Sequence, residues 1–139
     1  MHRELGPGFV ESVYHRALGH ELGRRGIAHR SEVEIEITYD GVAVGRHRLD
    51  IIAAPGIVIE LKAVQSLDAI HFAQLRSYLK ATRMTIGLLL NFAAPRLVIK
   101  RVLSQAPASP VPSAPPFLPT LPRFPGRRAQ SNPSGAREG

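Results

Sequence analysis

The segment Arg48-Leu49-Asp50-Ile51-Ile52-Ala53-Ala54-Pro55-Gly56-Ile57-Val58-Ile59-Glu60-Leu61-Lys62 places two carboxylates and a lysine in otherwise apolar surroundings. Suppose the residues on either side of Pro55 form antiparallel strands joined by an odd-length loop. Asp50 then faces Glu60 and Arg48 faces Lys62, while the other face pairs Leu49 with Leu61 and Ile51 with Ile59. An even-length loop would instead put Asp50 on the side of apolar Leu61. Register normally settles where one face stays apolar, which selects the odd loop.

In that register the two carboxylates lie ~5 Å apart between Cβ atoms, and like charges so placed are destabilising unless something positive lies between them. A hard divalent cation such as Mg²⁺ or Mn²⁺, held by oxygen ligands, resolves the conflict. Lys62 is two residues beyond Glu60 and projects from the same face of a strand. Its ammonium could orient or deprotonate a water, or stabilise a phosphorane-like oxygen. The set suits metal-assisted phosphodiester hydrolysis. A competing reading has Arg48 and Lys62 simply neutralising the two acids on a solvated face, and spacing alone leaves both open.

The elements that must position these groups are legible in the hydrophobic pattern. Val10, Val13, Tyr14, Ala17, Leu18 and Leu22 recur at helical spacing between Phe9 and Arg25, with Gly26 as the stop. Glu32 to Tyr39 alternates strictly, as a strand with one buried and one acidic face does, and Asp40-Gly41 is a preferred tight-hairpin pair. The return strand runs from Val42 towards Asp50, and Ile57 to Lys62 is a third strand. Ser66 is a candidate cap for a second helix with an apolar stripe of Leu67, Ile70, His71, Leu75, Tyr78 and Leu79. Thr85–Phe92 reads as a buried strand and Leu97–Leu103 as a last short one. The order helix, three strands, helix, strand, strand predicts an α/β domain over residues 1–103 with a mixed sheet and helices packed on it.

Two polar side chains fall inside these apolar stripes. Glu11 sits beside Val10 and Tyr14 on the first helix, and Gln74 lies between His71, Leu75 and Tyr78 on the second. A polar group placed there needs a partner. Either both reach the carboxylates on the sheet, Glu11 through the metal or its waters and Gln74 through a ligand oxygen or substrate phosphate, or their heads reach solvent at a boundary. His71 could be a ligand or base but fits better as a packing residue. His2, His15, His20, His29 and His47 show no metal-ligand spacing. Tyr14 and Tyr78 read as core residues.

Composition bounds the rest. The chain has 139 residues and 12 prolines, most of them in a run from Pro107 to Pro133. From 104 onward Pro, Ser, Ala and Gly dominate, which predicts a disordered tail with some extended polyproline character. The formal net charge of +7 makes nucleic acid a candidate partner through counterion release. Cysteine is absent, so thiolate metal sites are excluded. No apolar run approaches ~18 residues, which argues against a membrane-spanning helix. With no signal-peptide pattern either, a cytoplasmic setting is the default.

The segment Gly8-Phe9-Val10-Glu11-Ser12-Val13-Tyr14 has the pattern for which the GxxExxY protein family is named. Asp50, Glu60-Leu61-Lys62, His71-Phe72-Ala73-Gln74-Leu75 and Gly87-Leu88-Leu89-Leu90-Asn91-Phe92 resemble that family in order and spacing across residues 1 to 103. The family is placed in the PD-(D/E)XK nuclease superfamily, so the resemblance implies a restriction-endonuclease-like fold. It implies Asp50 and Glu60 as metal ligands for Mg²⁺ or Mn²⁺, Lys62 as the catalytic lysine and Glu11 as the acidic residue of the first helix. Gln74 with Tyr78 resembles the QxxxY element of the RecB-type branch. Arg48 and Tyr78 are the candidate nucleic-acid contacts. Family members carry more helix before the segment matching His2-Arg3-Glu4-Leu5-Gly6, so this chain is expected to start inside that helix.

Two functions of different kind fit this reading: a metal-dependent nuclease acting on DNA, or a non-catalytic nucleic-acid-binding or regulatory module that keeps the fold. The proline-rich tail is a candidate docking segment for a protein partner around Pro112 to Pro125, and a homodimer is left open.

Overall fold

The computed structural model describes residues 1–104; of the tail expected from 104 onward, all but Ser104, including the partner-docking stretch, lies outside the described residues. Two helices come first, α1 (His2–Leu5) and α2 (Glu11–Arg24). They are followed by β1 (His29–Tyr39), β2 (Val42–Ala53), β3 (Ile57–Lys62), α3 (Ala69–Thr82), β4 (Ile86–Asn91) and β5 (Val98–Leu103). The five strands form one sheet in sequence order. Three neighbouring pairs are antiparallel, and β3 with β4 is parallel. That pair alone is joined by a helix, α3, because parallel neighbours need a crossover long enough to bring the chain back to its starting edge.

Local chemistry explains the boundaries. The β1–β2 hairpin closes at Asp40 and Gly41 with φ of 51° and 74°, the paired left-handed conformations of a turn whose twist matches the strands. Both strands outrun the alternating pattern: β1 starts at His29 and β2 continues to Ala53, past Asp50. The cap of α3 is Asp68 rather than Ser66. The Asp68 side chain accepts the backbone N–H of His71, and the Asp68 N–H donates to His71 Nδ1 at 3.0 Å, a reciprocal capping box. His71 is therefore a cap residue and Ile70, 68% exposed, lies off the packed face, whereas Leu75, Tyr78 and Leu79 are buried. Gly87 on β4 lets α3 approach, since a Cβ there would meet the Leu75 side chain at 3.0 Å.

The core has two halves, one on each face of the sheet. Leu49, Ile52, Val58 and Leu89 pack with Leu75, Tyr78 and Leu79 of α3. Ile51, Ile59, Leu61, Leu90 and Phe92 pack with Tyr14 of α2. The expectation of one apolar and one solvated face for the β2–β3 pair is thus corrected: both faces of these strands are covered by helices. Among the described residues no helix is long and apolar enough to cross a membrane.

Candidate active site

β3 lies at the middle of the sheet, and its last residues meet the end of the β2–β3 ladder. The register there is Ile51 with Ile59, Ile52 with Val58 and Ala53 with Ile57, the odd register centred on Pro55. The pairing stops at Ile51 and Ile59. Beyond it the Asp50 side chain replaces the strand: Oδ2 accepts the backbone N–H of Leu61 at 2.8 Å. The alternation of β2 breaks at the same place, for Leu49 joins the α3 side of the core and Ile51 the α2 side. On β1 the neighbouring Glu32 has φ of 52°, a left-handed conformation that side chains seldom adopt.

This geometry corrects three pairings expected from the sequence. Asp50 is bonded to the Leu61 backbone instead of being laddered directly against Glu60. Leu49 and Leu61 lie in different halves of the core. Arg48 is turned towards β1, opposite Glu34 and ion-paired with Glu32 at 3.5 Å, with both side chains exposed. It does not join Lys62.

Glu60 lies one residue before Leu61 on β3, flanked by Leu89 of β4. Only 6% of it is exposed. Its Oε1 receives the Lys62 ammonium at 3.2 Å, while Oε2 is buried and unpartnered among the described residues. Burial, then the charge of Asp50, raises the Glu60 carboxyl to about 7, against the opposing pull of Lys62. The two carboxylates and Lys62 therefore share one electrostatic neighbourhood, as the spacing suggested.

Glu11 is the first residue of α2, where the helix N-terminus favours a carboxylate. Tyr14 sets its position. The Tyr14 hydroxyl donates to the Gly6 carbonyl at 2.7 Å and accepts the Phe9 N–H at 3.1 Å, and its ring stacks on Phe92 with centroids 4.7 Å apart. Gly8, between them, has φ of 112°, a conformation open to glycine and costly for other residues. Glu11 is exposed by area, yet its carboxyl accepts the Ala63 N–H just past Lys62. Its pKa is raised by burial of the carboxyl and then by Asp50, with Lys62 pulling the other way.

From α3, Gln74 hydrogen-bonds the Tyr78 hydroxyl, and Tyr78 is pushed to about 12 by burial and by the charges of Glu60 and Asp50. Tyr78 is thus both a core residue and a neighbour of the carboxylates. Two histidines that sequence spacing passed over belong here. His47 stacks on Tyr78 with centroids 4.1 Å apart, and its Nδ1 lies 3.5 Å from the hydroxyl. Burial lowers its pKa, with Asp50 opposing. His15 donates from Nε2 to the Asp50 carbonyl at 2.9 Å, tying α2 to β2 where the strand turns. Helical periodicity signals His15, one turn after Glu11, whereas strand alternation puts His47 on the face of Leu49, and only the break at Asp50 brings it beside the carboxylates. His71 does not join the group.

Among the described residues no three His, Asp or Glu side chains stand together as a ready-made cation cage. The donors present still fit one kind of ion. Burial and the charge of Asp50 raise the proton affinity of Glu60, and its buried Oε2 has no partner among the described residues. Mg²⁺ characteristically uses one or two carboxylates and keeps several waters, so an open site of this composition suits it or Mn²⁺.

The fold and this group define an α/β protein of restriction-endonuclease-like architecture. A family model described as the PD-(D/E)XK nuclease superfamily matches residues 1–102, and the chain belongs to that superfamily. Among solved structures the chain is similar to the one titled "Crystal structure of SSO0001", at 27% identity and a TM-score of 0.54 over 67% of this chain; the match spans 49% of that protein's length. No curated protein matches.

Proposed function

We propose that residues 1–103 form a nuclease domain that hydrolyses DNA phosphodiester bonds with Mg²⁺ or Mn²⁺ held between Asp50 and Glu60, in a cytoplasmic setting. The observation that carries this reading is the buried Oε2 of Glu60 beside Asp50, unpartnered among the described residues, with the Lys62 ammonium 3.2 Å from the other oxygen. A cation is the group that would relieve it. Within the superfamily, the Gly8–Tyr14 stretch supports a place among GxxExxY proteins, since Gly8 and Tyr14 hold the loop that presents Glu11.

A divalent ion bound there would supply Lewis acidity towards a phosphoryl oxygen. The chain's own groups do the remainder. Lys62, held by Glu60 on the middle strand, carries a positive charge to where negative charge grows on phosphate during attack. Glu11, with its raised proton affinity, is placed to exchange a proton with water near Lys62. Tyr78, pushed to about 12, keeps its proton at neutral pH and serves as a hydrogen-bond donor to substrate rather than as a base. Gln74 fixes the orientation of that hydroxyl.

The test is incubation of linear, nicked and branched DNA with the full chain in Mn²⁺, beside Lys62→Ala. Cleavage of at least one substrate, abolished by chelator and by Lys62→Ala with the fold retained, is expected. Salt-sensitive binding without a metal-dependent product would instead identify a non-catalytic module, and cleavage persisting in Lys62→Ala would refute the site.

A further inference from the structure

Charge on the described surface is unevenly compensated. The exposed carboxylates Glu32 and Glu34 of β1 are matched by Arg48 at 3.5 Å and Arg46 at 3.1 Å, and Arg24 and Arg25 at the end of α2 both reach Glu21. The helix α3 is different. Its sequence from Ala69 to Thr82 contains no Asp or Glu. Arg76 and Lys80 are exposed one turn apart, and Arg83 follows at the helix end. None of the three has an ion-pair partner among the described residues. Like charges one turn apart weaken a helix.

Beside this row lies an open groove of about 760 Å³ between α3 and the β1–β2 hairpin. Lys80, Arg83 and Arg46 line it against the single carboxylate of Glu36, with Ser77 also on its wall. Its lining includes His47 and Tyr78, the stacked pair that also borders Asp50 and Glu60. The groove and the candidate active site thus share the His47–Tyr78 pair. From Gln74 to Arg83 the helix covers about 14 Å at ~1.5 Å per residue, roughly four base steps of a B-form strand at ~3.4 Å each.

We infer that this groove is a phosphate-binding track: Lys80 and Arg83 hold the backbone of a nucleic-acid strand whose scissile phosphate lies beyond Tyr78, at the carboxylates. The inference rests on the nuclease reading for its direction but not for the binding itself. A structural alternative exists for Lys80 and Arg83, since cations near a helix C-terminus stabilise the helix dipole. It does not cover Arg76, and it predicts a stability effect with no effect on ligand.

The experiment is binding of a fluorescent DNA strand and duplex to the full chain in chelator, so that nothing is cut, measured by anisotropy between 50 and 200 mM salt. Wild type is compared with Lys80→Gln/Arg83→Asn, asparagine being chosen because Arg83 sits at φ of 57° and Asn tolerates that region. Each lost phosphate contact lowers the slope of log affinity against log salt by about 0.9 on duplex and about 0.7 on a single strand, so two contacts remove about 1.8 or about 1.4 from it. Over that fourfold salt range wild type should then lose roughly tenfold more affinity than the double variant. Arg24→Gln/Arg25→Gln, the same charge change on α2, should leave the slope at its wild-type value. A lowered melting temperature with an unchanged slope in the α3 variant would leave only the helix-dipole role. An equal loss in both variants would mean diffuse attraction to a basic protein. Either result, or no binding at 50 mM salt, overturns the track. Mn²⁺-dependent cleavage by wild type, scored separately, decides the nuclease reading whichever way the groove falls.

Discussion

Asp50 Oδ2 accepts the Leu61 N–H at 2.8 Å at the point where the β2–β3 ladder ends. One carboxylate thereby does two things. It completes the hydrogen bonding of the middle strand, and it sets a negative charge beside Glu60, which β3 presents one residue earlier. The backbone ladder ends at Ile51 and Ile59, and past it the two carboxylates lie close enough for the charge of Asp50 to act on Glu60.

The two roles of Asp50 can be separated by substitution. Asp50→Ala leaves the Leu61 N–H without an acceptor and should cost about 1–3 kcal/mol of stability. Asp50→Asn keeps an oxygen for that bond and should cost less, while bringing the Glu60 carboxyl down towards its ordinary value. Urea unfolding gives the first quantity, and a carboxyl NMR titration of Glu60 gives the second. Equal destabilisation by both substitutions would contradict the hydrogen-bonding role.

Without metal, Glu60 should make the protein less stable as pH rises. Its carboxyl is raised from 4.5 to about 7, so the folded state binds that proton more tightly than the unfolded chain. The contribution is fully present below pH 4.5 and is lost as pH climbs to 7. It amounts to about 3 kcal/mol at ~1.36 kcal/mol per pH unit. Unfolding in chelator between pH 4.5 and 8 should show this decline superimposed on the other titrations. Glu60→Gln should flatten it, and added Mg²⁺ should restore stability at pH 8.

Tyr14→Phe tests how Glu11 is placed. The substitution keeps the stack on Phe92 and removes both hydroxyl hydrogen bonds to the loop before α2. A loss of about 1–2 kcal/mol follows, with faster amide exchange at Phe9. Cleavage should fall as well, because the loop carries Glu11. Unchanged exchange at Phe9 would show that the hydroxyl does not hold the loop.

Much of this was readable from residues 1–103. Alternation in Glu32–Tyr39, the Asp40-Gly41 turn and the odd spacing about Pro55 specify the hairpin and the β2–β3 register, because each is a local property of the chain. Asp50, Glu60 and Lys62 stand out in the sequence for the same reason. What escaped depends on contacts distant in sequence. The break of alternation at Asp50 arises because α2 and α3 cover opposite faces of the sheet, which no periodicity within one strand reveals. Arg48 pairs with Glu32 of β1, a partner set by the β1–β2 ladder and not by the spacing about Pro55. His15 and His47 carry no metal-ligand spacing, which is a rule about neighbours in sequence, and they meet Asp50 and Tyr78 across the fold. Asp68 displaced Ser66 as the cap of α3 because it can exchange two hydrogen bonds with His71.

The most direct test of the account is Mn²⁺ binding to the full chain, followed by calorimetry or electron paramagnetic resonance at pH 6 and pH 8. Wild type should bind one ion per chain, more tightly at pH 8, where Glu60 has lost its proton, and Glu60→Gln should lose that site while remaining folded. Binding of the same stoichiometry and affinity in wild type, Glu60→Gln and Asp50→Asn would show that these carboxylates hold no cation.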